Sequence, residues 1–185
     1  RLLAEKNGDT ISTAANTKFA DIPAHAWYSG YVKYLSNNGI TYGKSKTVFA
    51  PNDAITRAEF TTMAVRFFDV YGSGDAEIME QFSGFNDVSS GYWAAEYIKY
   101  AALHGWINGY GDGSFHAERE INRAEVVTIV NRLLGREADA DYIAGNLRKL
   151  NTFPDVTKRH WAYYAVMEAA NAHTAVLGEN ESWSK

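Results

Sequence analysis

This chain repeats itself. Phe19-Ala20-Asp21-Ile22, Trp27, Gly39, Phe49 and Ile55-Thr56-Arg57-Ala58-Glu59 recur as Phe85-Asn86-Asp87-Val88, Trp93, Gly105, Phe115 and Ile121-Asn122-Arg123-Ala124-Glu125. Every landmark is displaced by 66 residues. The block opens a third time at Phe153-Pro154-Asp155-Val156 and Trp161, displaced by 68 from the second. Self-similarity at a fixed period marks units that stack and bury a shared core. The functional question is therefore what the stack binds.

Each unit reads as helix, loop, helix. Trp27, Tyr31, Tyr34 and Leu35 fall at i, i+4, i+7 and i+8, one face of a helix, and Trp93, Tyr97, Tyr100 and Ala101 repeat that spacing. Gly39 and Gly105 stand where a left-handed C-terminal cap is expected. Loops follow over 41–54 and 108–120, the second rich in turn residues. Thr56-x-x-Glu59 is a capping box and Asn122-x-x-Glu125 its close variant. Phe60, Met63, Ala64 and Phe67 then carry helical spacing, as do Val126, Ile129, Val130 and Leu133. Segments 69–84 and 135–152 read as linkers, with a short helix expected within 138–150. Arg1-Leu2-Leu3 matches Arg132-Leu133-Leu134, so the chain opens mid-pattern, as a fragment or processed product does. Residues 1–18 read as the tail of a preceding unit and a linker. Residues 19–84 and 85–152 are full units, and 153–185 is a partial or degenerate closing unit. The polar stretch 177–185 is expected to fray.

Composition excludes several function classes. With a net charge of −4, a global attraction to nucleic acid is not expected. No window approaches 18 apolar residues, so no membrane insertion is expected, and no signal peptide is read. The absence of Cys removes disulfides, thiol nucleophiles and Cys-ligated metals. The 14% aromatic share, with 12 Tyr and 5 Trp, suits both cores and flat, partly wet sugar-binding faces. His25, His104, His116, His160 and His173 make no metal-ligand spacing, and no nucleotide or nucleophile fingerprint is present. The run from Asn108 to Ser114 only faintly resembles a calcium loop, because Arg119 stands where the bidentate Glu belongs. The reading is of a chain with no cofactor, no metal and no catalytic residues of its own.

Arg57 and Arg123 attract most interest. Each follows a helix N-cap, where a cation opposes the helix dipole. An offset is required. It could be an ion pair with an acid of a neighbouring unit, such as Asp21, Asp87 or Asp155, or it could be an anionic ligand held with the helix amides. Thr56, Asn122, Glu59 and Glu125 read as caps. Asp21, Asp87 and Asp155 precede the first helix and are read as caps for it. Trp27, Trp93 and Trp161 start that helix, packed between units with an edge free to line a groove.

These landmarks resemble the S-layer homology repeat of bacterial surface proteins. Its pattern runs F-x-D-V, W, an aliphatic helix, G-(I/L)-(I/V)-x-G-Y-x-D-G-x-F-x-P and I-T-R-A-E. The second unit answers with Gly105-Trp-Ile-Asn-Gly-Tyr-Gly-Asp-Gly-Ser-Phe115, the first with Phe49-Ala-Pro51 and an intact Ile55-Thr-Arg-Ala-Glu59. The resemblance covers most of 19–134 and, partially, 153–173. It implies an all-α fold of tandem helix-loop-helix repeats in a pseudo-threefold, spindle-like bundle. It also implies an extracellular place in the cell wall or S-layer. The job it implies is anchoring through secondary cell-wall polysaccharide, often a pyruvylated, anionic sugar, bound in grooves between repeats. By the same resemblance, Arg57 and Arg123 match the carboxylate-binding arginine and Gly39 and Gly105 the glycine near the sugar. Trp27, Trp93, Asp21 and Asp87 match positions that frame the groove.

The first unit departs from the pattern at 41–48, where Lys44 and Lys46 add positive charge. The third has His173 at the glycine position, and its motif arginine would fall at 191, beyond the chain. It therefore reads as a closing unit that completes the bundle without binding. Two further readings stand beside anchoring. In one, the repeats pack against other copies of the surface protein to build a lattice. In the other, the chain belongs to a wall-glycan enzyme whose catalytic part lies outside it.

Overall fold

A computed structural model describes residues 2–71, 83–176 and 182–184. Most of the first linker, residues 72–82, and part of the tail, 177–181, lie outside the described residues. The helices are α1 (Leu2–Asn7), α2 (Ser29–Asn37), α3 (Arg57–Tyr71), α4 (Ala95–Leu103), α5 (Arg123–Leu133), α6 (Ala140–Asn146) and α7 (Tyr163–Ala170). A 3₁₀ turn, Leu147–Lys149, continues α6, so the short helix expected within 138–150 is present. The class is all-α. Among the described residues the exception is one antiparallel pair, β1 (Thr174–Val176) with β2 (Ser182–Ser184).

Local chemistry explains the helix ends. At the end of α2 the Ile40 amide donates to the Leu35 carbonyl at 2.9 Å and the Gly39 amide to Ser36 at 3.2 Å. The end of α4 repeats this with Trp106 to Ala101 at 2.9 Å and Gly105 to Ala102 at 3.0 Å. Both are Schellman closures, and they need a left-handed residue, which Gly39 (φ 72°) and Gly105 (φ 69°) supply. Both capping boxes form. Thr56 and Glu59 exchange bonds of 3.1 and 3.0 Å, and Asn122 and Glu125 bonds of 2.9 and 3.0 Å.

The first helix of each unit starts two residues later than the sequence spacing suggests. Trp27, Trp93 and Trp161 sit in a lead-in turn closed by tighter bonds, such as Ser29 to Ala26 at 2.9 Å and Tyr163 to His160 at 3.0 Å. Tyr28 and Ala94, at the caps, give no side-chain bond. Asp21 and Asp87 do not cap α2 and α4 either, because their carboxylates are engaged elsewhere, as described below.

Packing interlocks the units. α3, the second helix of one unit, packs on α4, the first helix of the next, and α5 packs on α7 in the same way. α3 also meets α5, and α1 rests on α3. One core cluster runs from Ala58 and Val65 through Ile98, Trp106, Ile107 and Phe115 to Ile129, so it spans both full units. Ile143, Tyr163, Met167 and Trp183 form another, and Phe19, Ile22 and Val32 a third. Trp183 overturns the expectation of a tail frayed throughout. It is 5% exposed, its ring stacks on His173 at 3.9 Å, and its amide donates to Asp139 at 3.1 Å. Burial of an indole is reason enough for residues 182–184 to settle.

Candidate functional site: two equivalent grooves

Two grooves lie at equivalent places in successive units. The first, about 460 Å³, is bounded by segment 41–44, segment 49–55 and the α3 side chains Glu59, Thr62, Met63 and Arg66, with Trp93 of the next unit at its edge. The second, about 340 Å³, is bounded by 106–110 and the α5 side chains Glu125, Thr128, Ile129 and Arg132, with Trp161 of the third unit at its edge. The four helix positions in the two sets are 66 residues apart. Both volumes fall in the range of roughly 300–1,000 Å³ of small-molecule sites. Trp93 and Trp161 are 55% and 65% exposed, each offering a wet aromatic face.

Arg57 lies in the wall of the second groove, and its guanidinium is engaged from within the protein. Its Nη1 donates to Glu125 Oε1 at 2.7 Å, its Nε to the Phe115 carbonyl at 2.8 Å and its Nη2 to the Asn108 carbonyl at 3.2 Å. The Phe115 ring lies 4.4 Å from the guanidinium carbon and the Tyr110 ring 5.2 Å. The cation at the start of α3 is thus offset by an acid of the next unit. That acid is Glu125, not one of the aspartates the sequence suggested. Arg119 and Tyr110 also donate to Glu125. Burial pushes the Glu125 carboxyl up. The Asn122 amide, Arg57, Tyr110 and Arg119 outweigh it and hold the group below its ordinary value of 4.5. In the first groove Glu59 is served by Lys44, on the position Tyr110 holds one unit later. Its carboxyl is lowered too: burial opposes, and Lys44 and the Thr56 amide prevail. The backbone clasps the same junction, Arg57 amide to Arg119 carbonyl at 2.9 Å and Ile121 amide to Ile55 carbonyl at 3.0 Å.

Asp21 and Asp87 build the loop walls. Asp21 accepts from the amides of Phe49 at 2.9 Å and Ala50 at 2.6 Å, and Asp87 from those of Phe115 and His116, both at 2.7 Å. Ala50 (φ 60°) and His116 (φ 56°) are the non-glycine residues with positive φ among the described residues. Each carboxylate therefore pins a backbone conformation that L-residues resist. The bond from Phe49 lowers the Asp21 carboxyl. For Asp87 burial opposes, and the two amides prevail.

The remaining residues named from sequence are placed as follows. Arg123 is exposed and makes no ion pair or hydrogen bond among the described residues. Trp27 is 76% exposed and lines neither groove. Gly39 and Gly105 close helices at the ends of α2 and α4 and lie outside both linings. Trp93 is in the first groove, and Asp21 and Asp87 stand behind the loops. Sequence reasoning passed over Gly43 and Gly109. A Cβ on Gly109 would sit 2.4 Å from Phe85 Cε1 and 2.7 Å from the Ser114 carbonyl, and Gly43 is crowded alike by Phe19 and Val48. Their recurrence 66 residues apart beside a motif phenylalanine was the available signal. Arg66 and Arg132 were also passed over, hidden inside helices read for their apolar stripes.

Comparison with known proteins agrees with the repeat. Residues 18–61 and 84–127 match the S-layer homology domain, one match per full unit. The chain belongs to the S-layer homology family. It is 31% identical over 181 residues to Cell surface glycoprotein 1 of Acetivibrio thermocellus, covering 94% of this chain and 7% of that protein. It is 30% identical over 165 residues to the Cellulosome-anchoring protein of the same organism, covering 88% of this chain and 34% of that protein. Against S-layer protein EA1 of Bacillus anthracis the identity is 27% over 148 residues, covering 80% and 16%. The chain thus spans about a third or less of the length of these relatives. Family and relatives place it at the bacterial cell surface. No helix among the described residues is long and apolar enough to cross a membrane.

Proposed function

We propose that this chain is a non-catalytic anchoring module. It fastens a surface protein to the cell wall by holding secondary cell-wall polysaccharide, through an acidic, pyruvylated sugar, in the grooves between its repeats. The observation that carries this reading is the duplication of one site. The same capping glutamate and the same helix arginine stand at equivalent places 66 residues apart, and each groove is edged by an exposed tryptophan lent by the next unit. A sugar face stacks on such a tryptophan while polar groups at the groove floor fix its hydroxyls. Two grooves on one chain raise retention on a polymer through effective concentration. Relatives that include Exoglucanase XynX of Acetivibrio thermocellus, of which this chain spans 11%, suit a module joined to varied cargo.

The test is co-sedimentation of the chain with purified wall sacculi before and after extraction of their secondary polysaccharide. The module should pellet with the first and stay in the supernatant with the second. Equal pelleting with both, or with neither, would overturn the proposal. Trp27, large, 76% exposed and outside both grooves, favours a second reading, contact with another copy of the surface protein. That reading predicts self-association abolished by Trp27→Ala with polysaccharide binding intact.

A further inference from the structure

We propose that Arg66 and Arg132 are the residues that hold the sugar acid, one in each groove. The inference rests on the glycan-binding reading above and assigns its charge contact.

The argument is an accounting of cations. Among the described residues, Arg57 and Arg119 both face Glu125, and Lys44 faces Glu59. A carboxylate arriving in either groove finds these groups already engaged by a glutamate that is itself fixed in a capping box. Arg66 and Arg132 line the same grooves and form no ion pair among the described residues. Each lies nine positions after the motif arginine of its unit, on the helix that floors the groove.

Arg66 is also preorganised. Its guanidinium carbon stands 4.6 Å from the Tyr42 ring centroid and 5.0 Å from that of Tyr97, and Nε and Nη2 each reach the Tyr97 hydroxyl at 3.4 Å. Aromatic faces hold a guanidinium in place without neutralising it. A planar fork fixed this way presents paired donors to a carboxylate at little further entropic cost. Arg132 is exposed at the corresponding place and has no such rings among the described residues. The ionic surroundings differ as well. The first groove sets Arg66 and Lys44 against Asp53 and Glu59, a formal balance of zero. The second sets Arg57 and Arg132 against Glu125, a balance of plus one. The first groove thus has the better-held arginine, the second the more positive field.

The experiment is calorimetric titration of the whole chain with purified pyruvylated wall polysaccharide, and with the same material after mild-acid removal of its ketals. The variants are Arg66→Gln, Arg132→Gln, their combination, and the lysine versions of each. Each glutamine variant should weaken binding of the native polymer about tenfold at its own groove, the worth of roughly one charge-assisted hydrogen bond. The double variant should bind native and acid-treated polymer alike. Lysine should restore part of the affinity, because it keeps the charge and loses the fork. Unchanged melting temperatures would exclude misfolding as the cause. Full binding by the double variant would overturn the inference and leave anchoring standing. Equal loss on both polymers would overturn it too, since the arginines would then not read a carboxylate. Failure of the unmodified chain to bind either polymer would overturn the anchoring reading and this inference together.

Discussion

Replacing Arg57 by Met keeps most of the aliphatic stem and removes the cation. Breaking a buried ion pair by deleting one partner costs about 3–5 kcal/mol, because a charge is left without compensation. Glu125 would not be wholly abandoned, since Arg119 and Tyr110 still donate to it. That argues for the low end. The carbonyls of Phe115 and Asn108 each lose a donor, at about 1 kcal/mol apiece where no water replaces it. The sum is about 5 kcal/mol, which in a domain of this size is roughly 10–20 °C of melting temperature. Differential scanning calorimetry or urea unfolding would read it. The pH dependence adds a signature. Glu125 sits below its ordinary 4.5, so the stabilisation is complete above that value and is lost as pH falls through the lower folded-state value. The gap between the native chain and Arg57→Met should therefore be widest near neutrality and close under acid. A second comparison, Glu125→Met alone and with Arg57→Met, should show a coupling of about 1 kcal/mol or more. If Arg57→Met melted within a degree or two of the native chain yet lost polysaccharide, the reading of Arg57 as an inter-repeat tie would be refuted.

Other perturbations follow from the same geometry. Gly109→Ala drives a methyl into the Phe85 ring and the Ser114 carbonyl and should cost about 1–3 kcal/mol by overpacking. Gly105→Ala meets open space and carries only the strain of φ 69°, about 1 kcal/mol, so urea titrations should rank the two in that order. Trp93→Ala and Trp161→Ala remove exposed side chains and should leave stability within about 0.5 kcal/mol while weakening polysaccharide binding several-fold, read by calorimetry. Trp183→Ala opens the cluster around Tyr163 and Met167 and should cost about 3 kcal/mol, with increased proteolysis of the C-terminal segment as a second readout. Across the whole chain, the lowered carboxyls of Asp21, Asp87, Asp112 and Glu125 make stability level above their ordinary values of 3.8 and 4.5 and falling below them. A melting series from neutral pH to pH 3 checks this.

What could be read from the residues was mostly local. Apolar spacing placed the helices, the S/T/N-x-x-Glu pattern placed their starts, and glycine placed the ends of α2 and α4. All of these depend on neighbours within one turn. The ion pair between Arg57 and Glu125 spans 68 positions, and nothing in either residue's surroundings names the other. The repeat showed that each unit had an arginine and a glutamate; only the packing of α3 against the following unit showed that they meet. Asp21 and Asp87 were read as caps because an acid before a helix is a common cap. Here the loop 28 residues on competes for the same carboxylate and offers two amides. Trp183 lies in a polar stretch with no period, and a lone indole gives no pattern to detect.

The interlocking of α3 with α4 and of α5 with α7 sets the boundaries of what can be transplanted. The period written in the sequence begins at the F-x-D motif, but a groove begins in the loop of one unit and is closed by the tryptophan of the next. The smallest portable binding cassette is therefore out of phase with the repeat: it runs across a linker, from the middle of one unit into the opening turn of its successor. Grafting 85–152 alone onto a new protein would carry a groove without the Trp161 that edges it and leave Glu125 without Arg57. Carrying Arg57 as well as Trp161 takes a longer segment, from Ile55 across both linkers to beyond Trp161. Recombination between related surface proteins at the sequence-repeat boundary would thus form a hybrid groove from two parents, and under the proposed anchoring role new glycan preferences would arise at that seam without any point mutation.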